Sequence, residues 1–448
     1  NNLLEVYHQI SEAKKYCIEN QKPILIEAMT FRMRGHEEAS GVKYVPKELF
    51  EQWGKLDPVM NFEKYLLDEK IITQQFIDET KANFKHEIEI NLEKCFASPE
   101  PIANTEEEVN DIFAPYFPTN NSSLITNNSK ELRLVDAISE GLKQSMQKHS
   151  NLIIMGQDVA EYGGVFKITD GFVAEFGKER VRNTTLCESA IIGISLGLSL
   201  EKYKAVMEMQ FADFVTEGFN QIVNNLAKIH YRWGQNADVV VRMPTGAGVG
   251  AGPFHSQSNE AWFTKVPGLK VVYPSTPADA KGLLIAAIND PNPVMFFEHK
   301  ALYRSVSGMV PTDYYEIEIG KANVVQEGND VSIITYGAGV HWALEISKTL
   351  DISTEILDLR TLAPLDYEAI EKTVKKTGKV LVLHEYTLIG GIGGEISAWI
   401  NEHCFESLDA PVMRCASLDT PVPFAIPLEN NFLAKARLKE SLEKLVNY

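Results

Sequence analysis

Apolar residues at Leu3, Leu4, Val6, Tyr7, Ile10, Ala13 and Tyr16 recur with the 3.6-residue period and predict a helix over 3–20. Pro23 ends that pattern, and the apolar run 24–29 predicts a buried strand. A loop carrying His36 follows over 32–41, and charged amphipathic helices are expected at 47–53, 58–68, 73–95 and 105–115. Residues 118–131 then lose nearly all apolar anchors and become rich in Asn and Ser. Such a polar stretch predicts a linker.

Beyond it the pattern changes. A helix is expected at 132–148, then short apolar strands at 152–156, 205–209, 238–243, 269–273 and 294–298, with helical patterns between them. A third part begins near Asp330, with strands at 331–336, 354–357 and 379–384 and a closing helix at 432–446. Strands alternating with helices predict an α/β fold whose parallel sheet is covered on both faces. The expected division is a mainly helical part at 1–117, the linker at 118–131, one α/β domain at 132–318 and a second at 319–448.

The chain has 448 residues, too long for one core at roughly 100–200 residues per domain. Its net charge of −18 argues against a nucleic-acid partner, because phosphate binding needs clustered Lys and Arg. Five scattered cysteines (Cys17, Cys95, Cys187, Cys404 and Cys415) form no C-x-x-C pair and predict reduced thiols in a cytoplasmic protein. No apolar run reaches the length of about 18 residues that a membrane span needs, and no signal peptide is visible. The opening Asn1-Asn2-Leu3 runs straight into a helical pattern, which suggests the interior of a longer protein.

Candidate chemistry lies in a few constellations. Glu188 stands where a strand is expected to end and a helix of small and apolar residues to begin, and carboxyl ends of parallel strands are where ligands bind. Cys187, Ile191 and Ile192 flank it, so desolvation is expected to raise its pKa. The residues alone leave a second role open, a helix-start glutamate satisfying backbone N–H groups. Gly193 and Gly197 on that helix would admit a close partner helix, as at a subunit interface. A loop with Gly246, Gly248, Gly250 and Gly252 leads to His255. Its alternating spacing and Pro253 do not fit a dinucleotide fingerprint, and a flexible loop presenting His255 fits better. His36, flanked by arginines and glutamates, suits a solvated loop equally well. The glycines at 390, 391, 393 and 394 open a helix without a P-loop lysine and suit close packing. Asp290 to Pro293 suits a turn before the strand at 294–298.

Taken together, residues 132–448 resemble the β subunit of thiamine-diphosphate-dependent 2-oxo acid dehydrogenases, the decarboxylating component of those complexes. The resemblance rests on Gly163-Gly-Val-Phe-Lys, Thr185-Leu-Cys-Glu188, Gln210-Phe-Ala-Asp213-Phe, Phe219-Asn-Gln-Ile-Val-Asn224, His255-Ser-Gln-Ser, Pro267-Gly-Leu-Lys-Val-Val, Pro274-Ser-Thr-Pro, Asp279-Ala-Lys-Gly and Asp358-Leu-Arg-Thr. Residues 1–117 resemble the C-terminal part of the α subunit through Ile26-Glu-Ala-Met-Thr-Phe-Arg and Gly35-His36, so the two subunits look fused through the linker.

The resemblance implies a transketolase-like pyrimidine-binding domain at 132–318 and a transketolase-like C-terminal domain. It implies that Glu188 bonds the cofactor's aminopyrimidine and so activates the thiazolium carbon, which attacks the 2-oxo group and accepts the electrons released with carbon dioxide. Phe214 and Gln210 would lie against the cofactor, with Phe214 in a place where tyrosine is common. His255 would pass the acyl group to a lipoyl arm, and His36 would lie near the diphosphate. Glu37 stands where mitochondrial relatives carry a regulatory phosphoserine, so that switch is expected to be absent. Ala237, Val239, Val240, Ala287, Asp290 and Asn292 match a potassium site of branched-chain relatives.

The Gly-Asp-Gly motif that holds magnesium and diphosphate in the family is expected upstream and is absent from this chain, which alone is expected to bind the cofactor weakly or not at all. The implied partners are the dihydrolipoyl acyltransferase component with its lipoyl domain and a second copy of the fused chain. Gln210-Phe-Ala-Asp and Gly163-Gly-Val-Phe favour branched-chain substrates such as 2-oxoisovalerate over pyruvate. Two alternatives remain open at this point: a transketolase-like enzyme, and an inactive assembly fragment lacking the diphosphate segment.

Overall fold

The computed structural model describes residues 1–37, 39, 41–118 and 128–448. Glu38 and Ser40 of the expected loop, and 119–127 of the expected linker, lie outside the described residues. The chain divides into two compact units, Asn1–Ala103 and Asn104–Tyr448.

The first unit holds helices Leu3–Asn20, Lys47–Gly54, Pro58–Asp68 and Gln74–Ala97. Asn2 caps the first by accepting the N–H groups of Leu4 and Glu5, and Asp57 and Thr73 cap the last two. The expected strand at 24–29 is not paired in any sheet, and Leu25 is 97% exposed. Its apolar run suits a buried strand, but no described strand of the unit lies beside it, and an unpaired segment leaves its backbone groups to water.

The second unit begins at Asn104, short of the expected boundary at 117, because the segment after it is pinned to the α/β core. The Asn292 amide both accepts from Ala114 N–H (2.8 Å) and donates to Ala114 C=O (2.9 Å). The helix expected at 105–115 is shorter, Thr105–Asn110.

The described strands of this unit are β1 (Ser129–Arg133), β2 (Leu152–Gly156), β3 (Val181–Asn183), β4 (Lys204–Glu208), β5 (Val239–Thr245), β6 (Lys270–Val272), β7 (Val294–His299), β8 (Ser307–Pro311), β9 (Asn323–Gln326), β10 (Val331–Thr335), β11 (Thr354–Asp358), β12 (Thr361–Ala363), β13 (Val380–Thr387) and β14 (Met413–Ser417). The first sheet has the order β12-β6-β7-β5-β4-β2-β3, parallel except for the edge pair β12–β6. The second has the order β14-β13-β10-β11-β9, parallel except for β9–β11. β1 pairs with β8 alone. Strands such as β2 and β5 are buried along their whole length, as expected of a parallel sheet covered by helices on both faces.

β12 follows β11 of the second sheet yet completes the edge of the first, so the two α/β layers share one core that runs from Met207 and Phe297 to Leu357 and Leu362. The α/β class and the two layers agree with the sequence. No helix among the described residues is long and apolar enough to cross a membrane.

Candidate active site

The site forms at the carboxyl ends of β2, β4 and β5. β3 ends at Asn183, five residues before Glu188, so the strand expected to reach that residue is shorter and a loop carries the chain into helix Glu188–Leu200. Glu188 is in the first turn, where N–H groups lack intrahelical partners and favour a carboxylate. It is only 9% exposed. Gln157, the residue after β2, donates to Glu188 Oε1 at 3.3 Å, while its own Oε1 is buried with no partner among the described residues.

The chain leaving β4 supplies the next wall. Gln210 donates to Asp158 at 3.3 Å, and a short turn, Ala212–Gly218, carries Phe214 and Asp213. Gly218 lets this turn rest on the helix of Glu188, since a Cβ there would overlap Ile192 Cδ1 and sit 3.6 Å from Glu188 C=O. The loop leaving β5 brings His255. Its ring stands edge-on to Phe211 (4.8 Å between centroids) and to Phe214 (5.6 Å). Asp213 Oδ1 accepts both Gln257 N–H (3.2 Å) and the Gln257 amide (2.9 Å), locking the His255 loop to the Phe214 turn. Asp213 Oδ2 is buried with no partner among the described residues.

Lys300 lies behind Phe211, with Nζ 5.7 Å from the ring and donating to Gly246 C=O. Burial pulls its pKa down to about 8, against the opposing pull of Asp213, Glu385 and Glu429. A cleft of about 600 Å³ opens there between Phe166, Phe211, Tyr303, Lys300 and the glycine loop.

Thus Glu188, Phe214, Gln210 and His255 are placed by loops at the same edge of one sheet. Their chemistry is a held carboxylate, an aromatic wall and an imidazole, with orphaned acceptors at Gln157 and Asp213. This suits a flat heteroaromatic ligand carrying N–H donors, as the aminopyrimidine of thiamine diphosphate does. His36 is exposed in a loop of the first unit and is described by itself.

Asp290 and Asn292 do not form an open cation site. Asp290 Oδ2 receives the Lys270 ammonium, its Oδ1 accepts twice from Asn292, and Asn292 is spent on Ala114. The backbone of Ala237 is used as well, its N–H bonding to Pro291 and its C=O accepting from Val239. Val240 is buried within β5 and Ala287 within the helix Pro277–Asn289. The side-chain oxygens of Asp290 and Asn292 are therefore already engaged within the protein. No group of three or more His, Cys, Asp or Glu among the described residues could hold a metal.

Sequence reasoning missed Gln157, whose only signal is its place directly after a buried strand. It also missed Glu385 and Glu429, which lie far away in sequence and reach the His255 loop only through the fold.

Comparison with known proteins adds the following. Residues 1–104 match the family described as "Dehydrogenase E1 component", 130–306 "Transketolase, pyrimidine binding domain" and 320–437 "Transketolase, C-terminal domain". The 2-oxoisovalerate dehydrogenase subunit beta of Bacillus subtilis (strain 168) is 46% identical over 321 residues, 70% of this chain and 98% of that one. The mitochondrial 2-oxoisovalerate dehydrogenase subunit beta of Dictyostelium discoideum is 43% identical, over 75% of this chain and 92% of that one. The pyruvate dehydrogenase E1 component subunit beta of B. subtilis is 44% identical, over 66% and 92%. A solved structure described as "Split gene transketolase, inactive beta4 tetramer" shares the fold with a TM-score of 0.58 at 22% identity, covering 70% of this chain and 98% of that one. The chain therefore belongs to the thiamine-diphosphate-dependent 2-oxo acid dehydrogenases, as an E1 component in which an α-type segment precedes a β-type region.

Proposed function

We propose that this chain decarboxylates a branched-chain 2-oxo acid and hands the acyl group to the lipoyl arm of an acyltransferase partner. The observation that carries the reading is the buried Glu188 carboxylate, held by Gln157 beside a turn that carries Phe214. Thiamine diphosphate, when bound, supplies a carbon nucleophile and a sink for the electrons left by carbon dioxide.

This chain's residues do the rest. Glu188 holds a proton at the edge of the bound aminopyrimidine and fixes its tautomer. Phe214 covers its face, and Gln210 stands at the same strand edge. His255 is placed to move a proton while the acyl group leaves for the lipoyl sulfur.

A second copy of the chain is supported by helix Glu188–Leu200. After Glu188 its only polar residues are serines, yet it leaves Ile194 55% exposed, with open space at Gly197. We place the assembly in the cytoplasm.

Release of labelled carbon dioxide tests the substrate assignment. In the assembled enzyme, 2-oxoisovalerate should be turned over faster than pyruvate, and a sugar phosphate should not react. Equal rates for the two acids would overturn the branched-chain assignment, and no release from either would overturn the activity.

A further inference from the structure

The loop between β5 and His255 is wound in an unusual way. Gly246, Gly248, Gly250 and Gly252 have φ values of 90°, 85°, 70° and 71°, a conformation that residues with a Cβ rarely adopt. Alternation of this kind turns successive N–H groups toward one side and makes a concave nest for an anion. The nest is filled from within the protein. Glu429 accepts Gly248 N–H at Oε1 (2.8 Å) and Gly250 N–H at Oε2 (3.0 Å). Glu385 Oε1 accepts Ala247 N–H (2.7 Å), and its other oxygen lies 2.7 Å from His299 Nε2.

Glu385 lies near the carboxyl end of β13 in the second sheet, and Glu429 lies on helix Ile426–Phe432, whereas the loop belongs to the first sheet. The C-terminal layer therefore reaches across to grip the His255 loop. Glu429 is 1% exposed, while Ile426 and Leu428 on the same helix are 63% and 59% exposed. That helix buries Phe432 in the ordinary way, yet it also buries a carboxylate at the loop while two large apolar side chains stay outside. A buried carboxylate is tolerated when N–H donors meet both of its oxygens, and here the donors come from the loop itself. The far end of the loop is closed by Asp213 on Gln257 and by Thr245 Oγ1 on Gln257 C=O. His255 lies between these two fixed ends.

We propose that Glu429 is a positioning residue for His255. Its carboxylate sets the glycine loop so that the imidazole stands against Phe211 and Phe214, and it thereby governs acyl transfer while leaving decarboxylation alone. This inference rests on the role of His255 proposed above.

Glu429→Ala and Glu429→Gln in the assembled enzyme test it, with an isolated lipoyl domain as acyl acceptor and an artificial oxidant as the alternative. Glu429→Ala should slow lipoyl acylation about 10- to 100-fold through kcat, with little change in KM, because misplacing a catalytic group by about 1 Å costs that much. Carbon dioxide release with the artificial oxidant should stay near the parent rate. Glu429→Gln keeps an acceptor for one amide and should fall between. Amide hydrogen exchange at Gly248 and Gly250 should quicken in both variants while β5 stays protected.

Parallel loss of both activities, unchanged acylation or unchanged exchange would each overturn the proposal. A separate failure is recognisable: if His255→Ala itself leaves acylation intact, the reading of His255 is wrong, and the exchange measurement still decides whether Glu429 holds the loop.

Discussion

Gln157 donates its amide hydrogen to Glu188 at 3.3 Å from the end of the adjacent parallel strand. The two residues are 31 apart in sequence and meet because β2 and the helix after β3 open on the same edge of the sheet. One acceptor of Gln157 is left buried and unmatched, which is costly unless a ligand donor completes it. Gln157→Leu should therefore lower decarboxylation about tenfold, the worth of one hydrogen bond to a charged group. The check is kcat/KM for 2-oxoisovalerate beside the thermal midpoint, which should hold or rise because an unmatched polar atom is removed.

His255 stands against Phe211 and Phe214, and no described residue hydrogen-bonds to its ring. An imidazole free at both nitrogens is available to an incoming thiol or dithiolane. His255→Ala should spare carbon dioxide release with an artificial oxidant and cut lipoyl-domain acylation by about 100-fold or more. Equal loss in the two assays would place His255 in decarboxylation instead.

Lys270 brings an ammonium to Asp290 where the sequence suggests a potassium site. Lys270 is 13% and Asp290 1% exposed at their side chains, so removing the cation strands a buried carboxylate. Lys270→Met should destabilise the protein by roughly 3 kcal/mol. The parent's thermal midpoint should be the same in potassium and sodium salts at equal ionic strength. A rise specific to potassium would contradict the account of this cluster.

Glu260 is buried, accepts Tyr336 O–H at 2.6 Å on Oε1 and has no partner for Oε2 among the described residues. Burial pushes its pKa up to about 7. The folded state thus binds a proton more tightly than the unfolded chain. The stability this contributes is full below about pH 4, where an unperturbed Glu titrates, and is lost as pH rises toward 7. Glu260→Gln should flatten the decline of thermal midpoint between pH 5 and pH 8, measured by calorimetry across that range.

The alternation of short apolar strands with helices made the α/β class and most strands of the two sheets legible, because buried parallel strands carry their pattern locally. The segment 24–29 misled for the same reason. An apolar run reports the capacity to pair, and pairing needs a neighbour that a local pattern cannot supply. Glu188 and His255 stand out because each ends a recognisable run. Glu429 does not, since its partners Gly248 and Gly250 lie about 180 residues away in sequence. Asp290 shows a further limit: its motif is legible, but the ammonium of Lys270 that meets it comes from a different strand.

In the proposed function, Glu188 activates the cofactor. Glu188→Gln keeps the size and a hydrogen-bonding end but cannot hold the proton that a carboxylate holds. The deciding measurement is carbon dioxide release from 2-oxoisovalerate by the assembled enzyme carrying Glu188→Gln. The account predicts a loss of about 100-fold or more with an unchanged thermal midpoint, the scale expected for removing general acid–base catalysis. A rate within a few-fold of the parent would contradict it.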